Sequence, residues 1–396
     1  MNNADTASLR ALFDHPPDRR GTASTKWSRY ADRDVLPFWV ADMEFPAPPA
    51  VREALRARID HGIFGYSQIP RGLTDSVLSF LAERYGWQVD PTWLVWLPGV
   101  MPGVTRACHA VGRPGDAVMT AVPIYYPFLT APGNADRVRV DTHLVRRGPR
   151  WEMDFDALEA TLSATPSTRL FLLCNPQNPT GRAYTRTELE RLAALAERFD
   201  LIIASDEIHA ELVLDPALAH HPIAHSVPDI AARTITFMAP TKTFNLAGLS
   251  SAYAIIPDAR LRERYREAGA GLVSSLGPLP LIAAEAAYRH GEPWRAVLLD
   301  VLRENRDRLE QAVTAMPGLE MTHVEATCLG WIDARALGVK DPHALFEAAG
   351  VGLSPGAQFG SPGFIRFNFG CSPSLLEAGL ARMQQAVATL DGGAVS

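Results

Sequence analysis

Residues 169–181 read RLFLLCNPQNPTG, and the parsing of that stretch decides the fold. Leu170 to Cys174 is an apolar run too short for an independent helix, and it lacks the polar alternation of a strand with one wet face, so it reads as a strand buried on both sides. It breaks at once into Asn175-Pro-Gln-Asn178-Pro-Thr-Gly181, which taken alone is ordinary turn chemistry. The same event recurs twice. Leu201 to Ala204 runs into Ser205-Asp206-Glu-Ile-His209, and Thr234 to Met238 leads to Thr241-Lys242-Thr-Phe-Asn. In open α/β sheets ligands gather beyond the carboxyl ends of the strands, so these three polar turns are expected to share one crevice.

Outward from the three runs, helical and extended patterns alternate from residue 48 to 290, the mark of helices wrapped over a mostly parallel sheet. Pro48 and Pro49 open a helix carrying Val51, Ala54, Leu55, Arg58 and Ile59, and Gly62 ends it. A second places Leu73, Val77, Phe80 and Leu81 on one face, with Gly86 as its left-handed cap. Thr185 and Glu188 form a capping-box pattern ahead of Leu189, Leu192 and Leu195. The chain of 396 residues exceeds one ordinary core. We therefore expect an α/β large domain at 48–290 and a smaller α+β domain from 1–47 and 291–396, the latter entered by a helix around Trp294 to Thr314.

Composition excludes several classes. Hydrophobic residues are 47% and charged residues 21%, which rules out disordered and fibrous chains. The net charge of −6 comes without any basic run, so nucleic acid is not an expected partner. No stretch is long and apolar enough for a membrane span, and the N-terminus has no apolar signal core. Cys108, Cys174, Cys328 and Cys371 lie far apart with no Cys-x-x-Cys pair, suggesting neither zinc nor a disulfide framework. A cytoplasmic location is expected.

Lysine is scarce: only Lys26, Lys242 and Lys340 occur. A lysine kept where arginine is the default suits a task arginine cannot do, namely losing its proton and attacking a carbonyl. Twenty-eight residues separate Asn178 from Asp206 and 36 separate Asp206 from Lys242. This spacing resembles that of fold-type I pyridoxal-phosphate enzymes, the class I/II aminotransferase superfamily. Within it, Lys26-Trp27, Trp39-Val-Ala-Asp-Met-Glu-Phe45, Ile63-Phe-Gly-Tyr66, Arg84-Tyr-Gly-Trp87, Pro123-Ile-Tyr-Tyr-Pro-Phe128 and Lys242-Thr-Phe-Asn-Leu-Ala-Gly-Leu249 resemble the MalY/PatB branch of cystathionine β-lyase-like carbon–sulfur lyases. Any one of these is weak; together and in order they are specific.

The resemblance implies pyridoxal 5′-phosphate as cofactor, with a role for each matching residue. Lys242 would hold the cofactor aldehyde and later remove the substrate Cα proton. Asp206, kept ionised by burial beside a cationic partner, would face the pyridine nitrogen. Asn178 and His209 would address the phenolic oxygen, and Tyr125 would stack on the ring. The N–H groups of Gly99, Val100 and Met101, in a turn that opens a helix, would cradle the phosphate, helped by Thr241. Tyr66 would reach in from the second subunit of a homodimer. Arg366 would grip the substrate α-carboxylate, with Trp39 and Asn178 beside it.

Some positions depart from the family pattern. Ser250 stands where many aminotransferases carry a phosphate-binding arginine, Ala239 replaces a common serine, and Gln177 stands where histidine is frequent. The missing arginine favours β-elimination from an S-substituted L-cysteine, giving thiol, pyruvate and ammonia. An aminotransferase is the alternative. Ser67 to Leu73 lacks an expected aromatic residue, and so a decarboxylating or oxidatively deaminating enzyme of an S-cysteinyl intermediate also stays open.

Overall fold

The computed structural model describes residues 3–271 and 275–393. Its centre is an eight-stranded sheet made of β1 (Leu94–Leu97), β2 (Ala117–Val122), β3 (Val138–Arg147), β4 (Arg150–Met153), β5 (Thr168–Cys174), β6 (Ile202–Asp206), β7 (Thr234–Met238) and β8 (Ala252–Ile255). The strands lie in the order β1-β8-β7-β6-β5-β2-β3-β4. From β7 through β6, β5 and β2 to β3 every pairing is parallel, while β8 runs antiparallel to both its neighbours, β7 and β1, and β4 antiparallel to β3. The three apolar runs are thus adjacent parallel strands. Both faces of β5 are buried: Leu170, Leu172 and Cys174 enter one core and Phe171 and Leu173 another. That explains the continuous apolar run.

Helices cover the sheet where apolar spacing places them. α1 (Pro49–His61) and α2 (Arg71–Tyr85) are closed by Gly62 and Gly86, both left-handed. α3 (Val100–Ala110) follows β1, and α4 (Arg186–Arg198) begins with the full Thr185–Glu188 capping box. β6 is longer than the apolar run, because its ladder continues through Ser205 to Asp206, whereas Leu201 remains in the turn before it.

α5 (Glu292–Thr314) leads to a four-stranded antiparallel sheet of β9 (Glu320–Met321), β10 (Leu329–Asp333), β11 (Ser354–Pro355) and β12 (Phe364–Asn368). The N-terminal segment packs here. Leu36–Pro37 pairs with Val351–Gly352, and the Phe38 ring stacks on Phe367 at 4.4 Å. This core also takes in Leu212, Phe244 and Ala287 from the larger sheet's side. Among the described residues, no helix is long and apolar enough to cross a membrane.

Gly181 closes the turn after β5 with φ +73°. A Cβ there would stand 2.7 Å from Val324 Cγ1 and 3.2 Å from the Ala326 carbonyl. Gly181→Ala combines a left-handed penalty with overpacking and should lower unfolding free energy by about 3 kcal/mol, read from denaturant midpoints.

Candidate active site

The parallel register fixes the site before any side chain is considered. Cys174 pairs with Asp206 and Asp206 with Phe237, so β5, β6 and β7 end at one level. Asn175 N–H donates to the Asp206 carbonyl and Glu207 N–H to the Phe237 carbonyl, extending the ladder into the turns. A cavity of about 320 Å³ opens beyond these ends. Tyr125, Asn178, Asp206, His209, Thr241 and Lys242 line it, together with Gly99, Val100 and Met101 at the start of α3.

The turn after β5 is locked from within. Gln177 Oε1 accepts from the backbone N–H and hydroxyl of Thr180, and its Nε2 donates to the Pro123 carbonyl at 2.6 Å. Gln177 therefore ties the β5 turn to the turn after β2, which carries Tyr125. Its role is structural. Asn178 Oδ1 accepts from Arg366 Nη1 at 3.0 Å, which leaves the Asn178 amide N–H groups for another partner.

Lys242 Nζ donates to the Ala41 carbonyl at 2.7 Å, a neutral acceptor rather than a carboxylate. Burial, reinforced by the Arg366 charge, holds its ammonium below the usual lysine range. Asp206 is buried and accepts from Ile208 N–H at 3.0 Å. Among the described residues no cation bonds Asp206, and burial pushes the carboxyl up to about 7, with the Ile208 N–H and Lys242 pulling the other way. His209 is buried with Nδ1 unpartnered among the described groups, and burial pushes its imidazole down to about 3, so the ring is neutral. Tyr125 packs edge-on to Tyr126, and burial raises its phenol to about 12.

Arg366 lies just behind the cavity on β12. Its Nη2 donates to the Trp39 carbonyl at 2.7 Å and to Ser354 Oγ at 3.3 Å, its plane covers Phe359, and Nε has no partner among the described groups. No described carboxylate pairs with this buried guanidinium. Burial lowers it to about 10, still charged at neutral pH. Trp39 reaches Arg366 through its backbone carbonyl only; its indole donates to the Lys26 carbonyl and lies under Arg29. Tyr66 is fully exposed and lies outside the lining of this cavity. Sequence reasoning missed Ala41, Ser354 and Asn245 as supports; the first acts through a carbonyl, which any residue supplies.

These residues fit a phosphorylated pyridine aldehyde. The wall offers an amine, a buried acid lacking a cation, an unpartnered imidazole nitrogen and a helix N-terminus. The family model for aminotransferase class I and II matches residues 33–383. The chain belongs to that family. It is 37% identical over 389 residues to cystathionine beta-lyase PatB of Bacillus subtilis, covering 95% of this chain and 99% of PatB. The crystal structure of OvoB superposes with a TM-score of 0.93 at 44% identity, over 95% of this chain and 99% of that one. Cystalysin from Treponema denticola, whose structure contains pyridoxal 5′-phosphate, superposes at 0.90 with 30% identity, over 96% and 99%.

The raised Asp206 carboxyl has a measurable consequence for the cofactor-free protein. An unfolded aspartate titrates near ~4, so between pH ~4 and 7 the unfolded chain has released a proton that the folded chain still holds. Stability from this group falls as pH rises through that window and then levels off. Asp206→Asn should gain stability relative to the parent as pH rises from 4.5 to 7.5, read from urea midpoints at each pH.

Proposed function

We propose that the protein is a pyridoxal-phosphate-dependent carbon–sulfur β-lyase acting on an S-substituted L-cysteine. The observation that carries this reading is the buried Arg366, a cation without a carboxylate, set beside a Lys242 amine that rests on a neutral carbonyl. A buried charge without a counter-ion is costly, and an amino-acid α-carboxylate would relieve that cost with bidentate geometry. The similarity to a curated cystathionine beta-lyase over nearly the full chain supports elimination as the outcome.

In this reading each residue has one task. Asp206 would face the ring nitrogen and gain there a cationic partner. Asn178 and His209 would donate toward the phenolic oxygen, and Tyr125 would cover the ring face. The N–H groups of Gly99, Val100 and Met101, with the Thr241 hydroxyl, would hold the phosphate. When bound, the cofactor supplies an electron sink for the pair left at the substrate Cα. Arg366 holds the substrate carboxylate so that the Cα–H bond is the one exposed to Lys242. Lys242 would take the Cα proton, the pair left at Cα would then expel the Cβ thiolate, which leaves as thiol with the proton held by Lys242, and water would complete release of pyruvate and ammonia. Burial lowers the basicity of Lys242, the direction a general base at this position needs.

The exposed Tyr66 follows Ile63 and Phe64, also exposed, on a stretch without helix or strand. We read this apolar segment as the contact with a second copy, through which Tyr66 would complete the partner's phosphate site. The large domain at 48–290 and the small one formed by 1–47 and 291–396 belong to the same proposal, with substrate held between them. So does a cytoplasmic location.

Two measurements test the function. Purified protein with cofactor should show visible absorbance and release thiol and pyruvate from cystathionine or S-alkyl cysteines with no keto acid present; Lys242→Ala should lose both the band and at least ~10³-fold in turnover. Strict dependence on a keto acid would make it an aminotransferase, and carbon dioxide release a decarboxylase. Arg366→Lys keeps the charge but loses the planar fork, so kcat/KM should fall by about 100-fold, mainly through KM.

A further inference from the structure

Residues 39–45 form neither helix nor strand, yet their carbonyls are taken in succession by side chains from four distant parts of the chain. The Trp39 carbonyl accepts from Arg366 and Ser354, and the Val40 carbonyl from Asn368 at 2.7 Å. The Ala41 carbonyl accepts from Lys242, and that of Asp42 from Asn368 at 2.8 Å and Lys26 at 3.0 Å. The carbonyls of Met43 and Phe45 both accept from Asn245 Nδ2, at 2.9 and 2.6 Å. Met43 N–H donates back to Asn245 Oδ1 at 3.0 Å. Besides one backbone bond, from Glu44 N–H to the Gly370 carbonyl at 2.8 Å, the segment is held by side-chain donors.

Asn245 is the donor best placed to matter. It lies three residues after Lys242 in the same turn, and its backbone is left-handed, φ +54°, a conformation asparagine tolerates better than most residues. That conformation coincides with an amide that grips the segment on both sides of Glu44, its Oδ1 accepting from one N–H and its Nδ2 donating to two carbonyls. The turn that carries the reactive amine therefore also carries the clamp that places the amine's acceptor.

We propose that Asn245 is a positioning residue: by clamping residues 43–45 it holds the Ala41 carbonyl at the height where it orients the Lys242 amine toward the substrate Cα. This rests on the functional reading above. Lys242 Nζ donates to the Ala41 carbonyl at 2.7 Å while the side chain lines the cavity, so the position of that carbonyl bears directly on where the amine sits. The opposite end of the segment bonds Arg366, but that guanidinium is also held by Asn178 and Ser354, so loosening Asn245 should disturb the lysine end far more than the arginine end.

The test compares Asn245→Ala with Asn245→Gly, which keeps the left-handed backbone accessible while removing the amide, so that a folded variant is available even where alanine strains the turn. Hydrogen–deuterium exchange of the cofactor-free proteins should show the Met43 amide, which donates to Asn245, exchanging at least ~10-fold faster in both variants, with the central strands unchanged. In the holoenzymes kcat should fall at least ~10-fold while KM stays within about threefold. Retention of slow exchange and of kcat in Asn245→Gly overturns the proposal, because the amide would then be dispensable. A rise in KM with kcat retained overturns it as well. Borohydride reduction of the unaltered holoenzyme, followed by peptide mapping, separates the two readings: absence of label on Lys242 removes the proposed function, whereas the exchange data judge the clamp by themselves.

Discussion

Cys174, Asp206 and Phe237 stand side by side across three parallel strands, and the level set by that pairing governs everything chemical in the molecule. Because the strands end together, three turns of unrelated sequence open onto one cavity. A slip of one residue in β6 would turn Asp206 to the other face of the sheet. Burial on both faces prevents that slip: Ile203 and Ala204 are committed to opposite cores, so the register is enforced by packing well away from the cavity. The site is accurate because the sheet beneath it has little freedom.

On this frame the protein leaves charges incomplete. Asp206 is buried with a backbone N–H for a partner, Arg366 is buried with carbonyls and an amide, and His209 keeps an unused nitrogen. Each would be a defect in an ordinary core. Together they describe, in negative, a ligand with a cationic ring nitrogen, an oxygen acceptor and a carboxylate. Binding of such a ligand and relief of this electrostatic cost are the same event.

The central sheet was legible in the sequence because strands buried on both faces leave an unmistakable apolar run, and each run stops where chemistry starts. The capping box at Thr185 and the glycine caps were legible because they are local. Lys242, Asp206 and Asn178 could be read from residue type and position at strand ends. What escaped was whatever acts through the main chain or across long separations. Trp39 was expected beside Arg366 and meets it through its carbonyl, a contact no side-chain reading reveals, and Ala41 carries no side-chain signal at all. The protonation of Asp206 in the cofactor-free chain was not legible, because the sequence names the acid but not the distance to the nearest cation.

The two walls of the cavity differ in how they are built. On the sheet side, Gln177 fastens the β5 turn to the β2 turn through Thr180 and Pro123, all within one body. On the other, residues 39–45 are suspended from side chains rooted in the N-terminal segment, the β7 turn and β12. Tolerance of change is therefore lopsided. Changes in the suspended wall travel through its carbonyls to Lys242 and Arg366, whereas changes in the fastened wall are absorbed within the sheet turns.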